Sequence, residues 1–258
     1  MSAEPRTLTD VSRLLHSRAL TAEAVTEGCL AQITERNRSL NAYITVLVDE
    51  ALAQAKEADR EIAAGSYRGP LHGIPISLKD IIDLRNSPTT AASHVRDGHV
   101  AQRDATVVGR LRQAGAIFIG KTNLHEFALG TTNEDSAYGP VLHPFDDTRS
   151  PGGSSGGSAA SVLARMAYAS IGTDTGGSVR IPAAACGLVG LKPTLGEIPT
   201  EGIVPLSETL DHVGPLCLSV QDAALLYGVL RGITNPEVPA ARDVRDLRFG
   251  IPRAYFFD

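Results

Sequence analysis

Apolar positions change their rhythm along this chain. In the first quarter they recur every three or four residues. The segment "TAEAVTEGCLAQITERN" places Ala24, Val25, Cys29 and Ile33 on one helical face, with Thr21 set to cap its start. "DEALAQAKEADREIAAG" predicts a second helix from Asp49, closed by Gly65. The texture changes at Gly69 and Pro70. "IPISLKDII" is short, apolar and β-branched, which predicts a buried strand around Ile74 to Leu78. "DATVVGRLRQAG" then predicts a helix capped by Asp104 and closed by Gly115, and "AIFIGK" a strand. A loop of glycines and serines follows, "SPGGSSGGSAAS" from Ser150 to Ser161, running into a helix of small residues, "GGSAASVLARM". "YASIGTDTGGS" reads as a strand ending in a glycine turn. A short helix, a strand near "GLVGLK" and a helix in "SVQDAALLYGVLRG" complete the series. Strands alternating with helices predict an α/β fold with a largely parallel sheet. No repeat recurs at a fixed period.

Composition narrows the class without naming a function. The 258 residues are 43% hydrophobic and 21% charged, enough for one large domain or two small ones. The formal charge of −5 leaves no basic footprint, so nucleic acid is not an expected partner. Cys29, Cys186 and Cys217 are odd in number and far apart, and no CxxC occurs, which supports neither a disulfide framework nor a zinc ribbon. The opening "MSAEPRTLTDV" lacks the basic and apolar regions of a signal peptide, and no apolar run reaches the roughly 18 residues of a membrane span. A reducing, cytoplasmic setting is the expectation, with no membrane partner.

Three motifs offer chemistry that their surroundings refuse. "GAIFIGKT" (Gly115 to Thr122) fits GxxxxGK[ST], but its middle is apolar where a phosphate loop is exposed. "GGSSG" (Gly152 to Gly156) fits GxSxG, yet the preceding "HPFDDTRSP" is polar and broken by proline, where a nucleophile elbow needs a strand. Asp211 and His212 follow in the order of a serine triad, but sequence neighbours on a strand face opposite ways. His94, His99 and the pair His125–Glu126 form no metal-ligand spacing.

What remains is Lys79 among apolar residues, Ser154 and Ser155 in the glycine loop, and Ser178 at the end of "GTDTGGS". A serine hydroxyl needs a base to become a nucleophile, and no histidine lies near these serines in sequence. A buried lysine can serve, because desolvation lowers its pKa toward neutrality. A second serine can relay the proton. Consecutive glycines before Ser178 can turn their N–H groups into one nest and hold the oxyanion of acyl transfer.

The stretch "PGGSSGGSAASVLARMAYASIGTDTGGSVRIPAAACGLVGLKPT" (Pro151 to Thr194) resembles the amidase signature enzymes nearly throughout, as do "HGIPISLKD" and "GAIFIGKTNLHEFALG" upstream. The resemblance covers essentially the whole chain. It implies an amidase signature fold: a central sheet, mostly parallel or mixed, covered by helices. A helical region over 1–69 would precede an α/β catalytic region over 70–258. It implies an amidohydrolase that cuts a carboxamide C–N bond through an acyl-enzyme. Ser178 would be the nucleophile, Ser154 the bridging serine on a cis peptide from Gly153, and Lys79 the base. The N–H groups of Thr175, Gly176, Gly177 and Ser178 would form the oxyanion hole, and Ser155, Thr173, Asp174 and Arg180 would support them by hydrogen bonds. The substrate would be a small amide, and the chemistry needs neither cofactor nor metal.

The family also contains the glutamine-hydrolysing A subunit of the tRNA-dependent amidotransferase. Ile181 stands where that protein usually carries glutamine, and "GIVPLSETLDHVGPL" is more similar to general amidases. Both alternatives stay open: a general amidase, compatible with a homodimer, or the glutamine-hydrolysing component of an amidotransferase with its partner subunits. Family members are considerably longer, and "DLRFGIPRAYFFD" suits a chain meant to continue. The expectation is a truncated sheet whose edge is Leu247 to Ile251, with Tyr255, Phe256 and Phe257 exposed beside it. An inactive fragment is then a third alternative.

Overall fold

The computed structural model describes residues 7–234 together with 236, 243, 245, 247, 248 and 250. Its helices are α1 (Leu8–His16), α2 (Ala22–Leu40), α3 (Val48–Ala63), α4 (Thr106–Gln113), α5 (Gly156–Leu163), α6 (Arg180–Ala185) and α7 (Val220–Leu230). Its strands are β1 (Tyr43–Val46), β2 (Pro75–Lys79), β3 (Ile117–Thr122), β4 (Ala169–Asp174), β5 (Val189–Gly190) and β6 (His212–Cys217). They form one sheet in the order β1-β3-β2-β4-β6-β5.

The sheet is mixed. β2 runs parallel to β3 and to β4, whereas β1–β3, β4–β6 and β5–β6 are antiparallel. Every residue of β2, β3 and β4 is buried, as befits the central strands of a sheet covered on both faces, and the polar residues among them find partners there. β1 lies inside the region before residue 70 and joins the sheet's edge there. α2 and α3 pack on each other and against β2 and β3. α5 lies along β2, β3, β4 and β6. Its residues Gly156 to Ser161 are all small and buried, which lets the helix axis come close to the sheet. Ser158 and Ser161 are satisfied there by Thr122 (2.9 Å) and Ser77 (3.1 Å).

Helix ends follow local chemistry with two corrections. Thr21 caps α2, its hydroxyl accepting from the Ala24 N–H at 3.1 Å, and Gly65 turns left-handed after α3 at φ +83°. Ala24 itself is not buried; Ala22, Val25, Cys29, Leu30 and Ile33 turn inward instead. Asp104 does not cap α4. The helix starts one residue later, with Ala105 at the cap position, and the Asp104 carboxylate accepts from the Arg85 N–H and the Arg112 guanidinium, both at 2.8 Å. Two carboxylates cap helices from afar. Asp222 accepts from the N–H groups of Leu8 (3.2 Å) and Thr9 (2.9 Å), and Asp59 from those of Ala22 (2.7 Å) and Glu23 (3.0 Å). Each places negative charge at the positive end of a helix dipole.

Leu247, Arg248 and Gly250 are described and belong to no strand. Phe249, Ile251, Tyr255, Phe256 and Phe257 are not described, so the expected edge segment and its aromatics lie outside the described residues. No helix among the described residues is long and apolar enough to cross a membrane.

Candidate active site

The parallel strands end side by side, and their last residues are polar: Lys79 on β2, Thr122 on β3 and Asp174 on β4. Carboxyl ends of parallel strands are where such sheets gather reactive groups. Lys79 is completely buried. Its Nζ lies 2.7 Å from Ser154 Oγ and 2.9 Å from Thr173 Oγ1. Burial pulls its pKa down from the usual lysine value to about 7, and the carboxylates of Asp174 and Asp211 only partly oppose the shift.

Ser154 follows a cis peptide from Gly153. Its carbonyl accepts from the His125 N–H at 3.1 Å. Ser155 lies just behind it: its N–H donates to the Ser178 carbonyl (3.2 Å) and its hydroxyl to the Thr173 carbonyl (3.3 Å). Gly157 is glycine because the backbone of other segments runs against it. A Cβ there would sit 2.3 Å from Asn123 O and 2.6 Å from Ala42 O. Asn133 braces the same loop, its Oδ1 accepting from the Gly156 N–H at 2.9 Å.

Asp174 organises the second loop. Its buried carboxylate accepts from the N–H groups of Gly177 (2.9 Å), Val179 (3.1 Å) and Arg180 (3.3 Å) and from the Arg180 guanidinium fork (3.0 and 2.9 Å). Burial alone would push the carboxyl up. Arg180 and the N–H donors outweigh it and hold the group below its ordinary value. Ser178, 7% exposed, rides on this scaffold.

The four expected oxyanion donors are not equivalent. The Gly177 N–H is already given to Asp174. Among the described residues, those of Thr175, Gly176 and Ser178 have no acceptor within the protein. Three donors are therefore open, and the fourth is taken by the carboxylate that shapes the turn. No hydrogen bond among the described residues joins the Ser154 and Ser178 hydroxyls; the backbone bond from Ser155 to Ser178 holds their loops together.

The misleading motifs resolve structurally. "GAIFIGKT" contains the fully buried β3, and Lys121 within it pairs with Asp80 rather than facing a phosphate. No strand leads into "GGSSG". His212 sits on the Asp174 carbonyl, its Nδ1 at 3.1 Å, and Asp211 accepts from the Thr175 hydroxyl and from the N–H groups of Leu206 (2.8 Å) and Ser207 (3.0 Å). Asp211 thus belongs to the second loop's support, as Asn133 does to the first. Asn133 carried no signal in the sequence, and Asp211 stood out only for its place in the order of a serine triad. Among the described residues, no group of three or more His, Cys, Asp or Glu side chains could hold a metal ion.

A family model described as Amidase matches residues 24–251, and the chain belongs to that family. The A subunit of glutamyl-tRNA(Gln) amidotransferase from Anaeromyxobacter dehalogenans (strain 2CP-C) is 44% identical over 251 residues, covering 93% of this chain and 51% of that protein. The native peptide amidase from Stenotrophomonas maltophilia is 40% identical with a TM-score of 0.83, over 93% of this chain and 49% of that one. The A subunit of glutamyl-tRNA(Gln) amidotransferase from Thermotoga maritima is 38% identical with a TM-score of 0.71, over 81% and 43%. The chain spans about half the length of the curated relatives it matches.

Proposed function

We propose that this chain carries the catalytic apparatus of an amidohydrolase that cleaves a carboxamide C–N bond with Lys79, Ser154 and Ser178. The observation that carries the proposal is the buried Lys79 amine, brought to a pKa of about 7, at 2.7 Å from Ser154 Oγ. The neutral amine takes the Ser154 proton, and Ser154 takes the proton of Ser178. Ser178 Oγ attacks the carbonyl carbon, and the oxyanion meets the N–H groups of Thr175, Gly176 and Ser178. The C–N bond breaks as the leaving nitrogen recovers a proton along the relay. Water attacks the acyl-enzyme by the same route and releases the acid.

A fluorophosphonate tests the assignment. The adduct should map to Ser178 by peptide mass. An adduct on Ser154 with Ser178 untouched would overturn it.

The curated relatives favour a second reading, in which the amide is glutamine and the chain works within an amidotransferase beside partner subunits. Side-by-side turnover of glutamine and a simple aliphatic amide separates the two. Hydrolysis confined to glutamine supports the second.

A further inference from the structure

A second lysine lies buried one strand away from Lys79, and the proposed chemistry does not use it. Lys121 Nζ sits 2.8 Å from Asp80 Oδ1, with both side chains fully buried. Asp80 directly follows Lys79, and Lys121 pairs in register with Leu78. Successive side chains on a strand alternate faces. Lys79 and Thr122 therefore occupy one face of the sheet, and Asp80 and Lys121 the other.

The pair also ties down a strap. Lys121 donates to the Pro88 carbonyl (2.9 Å) and to Thr89 Oγ1 (3.3 Å). Asp80 accepts from the N–H and hydroxyl of Thr90, at 2.9 and 2.5 Å. The strap continues through two left-handed alanines, Ala91 (φ +55°) and Ala92 (φ +56°). Ala91 donates its N–H to the Asp80 carbonyl and accepts from the Phe127 N–H, both at 2.9 Å. Phe127 lies in the turn that begins at His125, whose N–H holds the Ser154 carbonyl. Both ends of the Lys79–Ser154 contact are thus anchored to one ion pair. Lys79 is anchored by the chain bond to Asp80, and Ser154 by the strap.

We propose that Asp80 and Lys121 are positioning residues for Lys79: they fix the Lys79–Ser154 contact from behind the sheet, and Lys121 cancels the Asp80 charge that would otherwise favour the ammonium form of Lys79. This rests on the Ser-Ser-Lys reading for its meaning in catalysis. The other charged and titratable groups around Lys79 are Asp174 with its Arg180 fork, Asp211, and His212 on the Asp174 carbonyl. They remain unchanged in the variants below.

The chain has four lysines, Lys56, Lys79, Lys121 and Lys192, so carbon-13 labelling at lysine Cε gives four NMR titrations. In the unsubstituted protein Lys79 should lose its proton before Lys121 as pH rises; the reverse order overturns the proposal. Lys121→Met leaves Asp80 unpaired and should raise the Lys79 midpoint by about one pH unit. Asp80→Asn leaves the Lys121 charge unpaired and should lower it by about as much. Shifts that are absent, or that share one sign, overturn the proposal, because a structural role alone gives no opposite pair.

Breaking a buried pair is strongly destabilising. Where neither single variant folds, Asp80→Asn with Lys121→Gln leaves no lone charge. It should hold the Lys79 midpoint near the unsubstituted value while slowing fluorophosphonate labelling of Ser178 about tenfold at the high-pH plateau. An unchanged plateau rate overturns the proposal. If Ser178 is never labelled while the midpoints move apart as stated, the catalytic reading fails and the charge balance stands. If Ser178 is labelled and the midpoints do not move, the proposal alone fails.

Discussion

In the turn over 151–157 every glycine is walled in, while in the turn over 174–178 Gly176 faces open space. A Cβ on Gly152, Gly153, Gly156 or Gly157 would meet another atom at 3.0, 2.8, 2.6 or 2.3 Å. A Cβ on Gly176 would meet nothing within 4 Å. Gly177, next to it, needs glycine for its backbone, at φ +136°. The two turns share a composition and differ in purpose. The first is packed around Ser154, which lies against Lys79. The second is open only at Gly176, since a Cβ on Gly177 would meet Ile181 Cδ1 at 2.7 Å.

If that division holds, substitution of the serines should remove chemistry and spare stability, and substitution of the packed glycines should cost stability. The largest effect belongs to Ser178→Ala, with amide turnover falling about ten-thousandfold and the melt unchanged. Ser154→Ala, measured in the same assay, should lose less, because a water can take over part of a relay but not the nucleophile. Equal and complete losses would make the packed turn as chemical as the open one.

The pH profile comes next. In the proposed mechanism Lys79 works as the neutral amine, and burial brings its pKa to about 7, below the ordinary lysine value. The rate should therefore climb with pH, level off above about 7, and fall about tenfold for each unit below it. A flat profile from about pH 5 to 8 would remove Lys79 as the base.

Gly157→Ala forces a methyl group onto two carbonyl oxygens. We expect a loss of about 3 kcal/mol, a Tm lower by roughly 10 °C in a thermal melt. Gly176→Ala should be the mildest, within about 0.5 kcal/mol of the unsubstituted protein in chemical denaturation. A large destabilisation there would show that the second turn is packed after all.

The sequence made the centre of this molecule easier to read than its margins. β2, β3 and β4 carry short β-branched apolar stretches buried on both sides, so their identity depends little on their neighbours. β1 is four residues between two helices, mostly half-buried and held by its pairing with β3. β6 contains Gly214 and Pro215, residue types that argue against a strand locally, and it forms because β4 and β5 both pair with it. The proposed site residues could be singled out because they sit in dense motifs. The roles of Asp211 and Asn133 were not legible, since they arise from contacts 36 and 23 residues away in sequence. The engagement of the Gly177 N–H also lay beyond a motif, because Asp174 looked like a support and not a competitor for the same donors.

The cap that Asp222 places on α1 sets an order of events during synthesis. Its partners Leu8 and Thr9 leave the ribosome 214 and 213 residues ahead of it. The capping box formed by Thr7 and Asp10 is local and available at once. The carboxylate that completes the helix start arrives only after all six described strands of the sheet have been made. The first described helix is therefore completed only by a long-range closure, of the kind that slows folding. Until then α1, whose Leu8, Val11 and Leu15 are buried in the finished fold, also lacks its packing against α7.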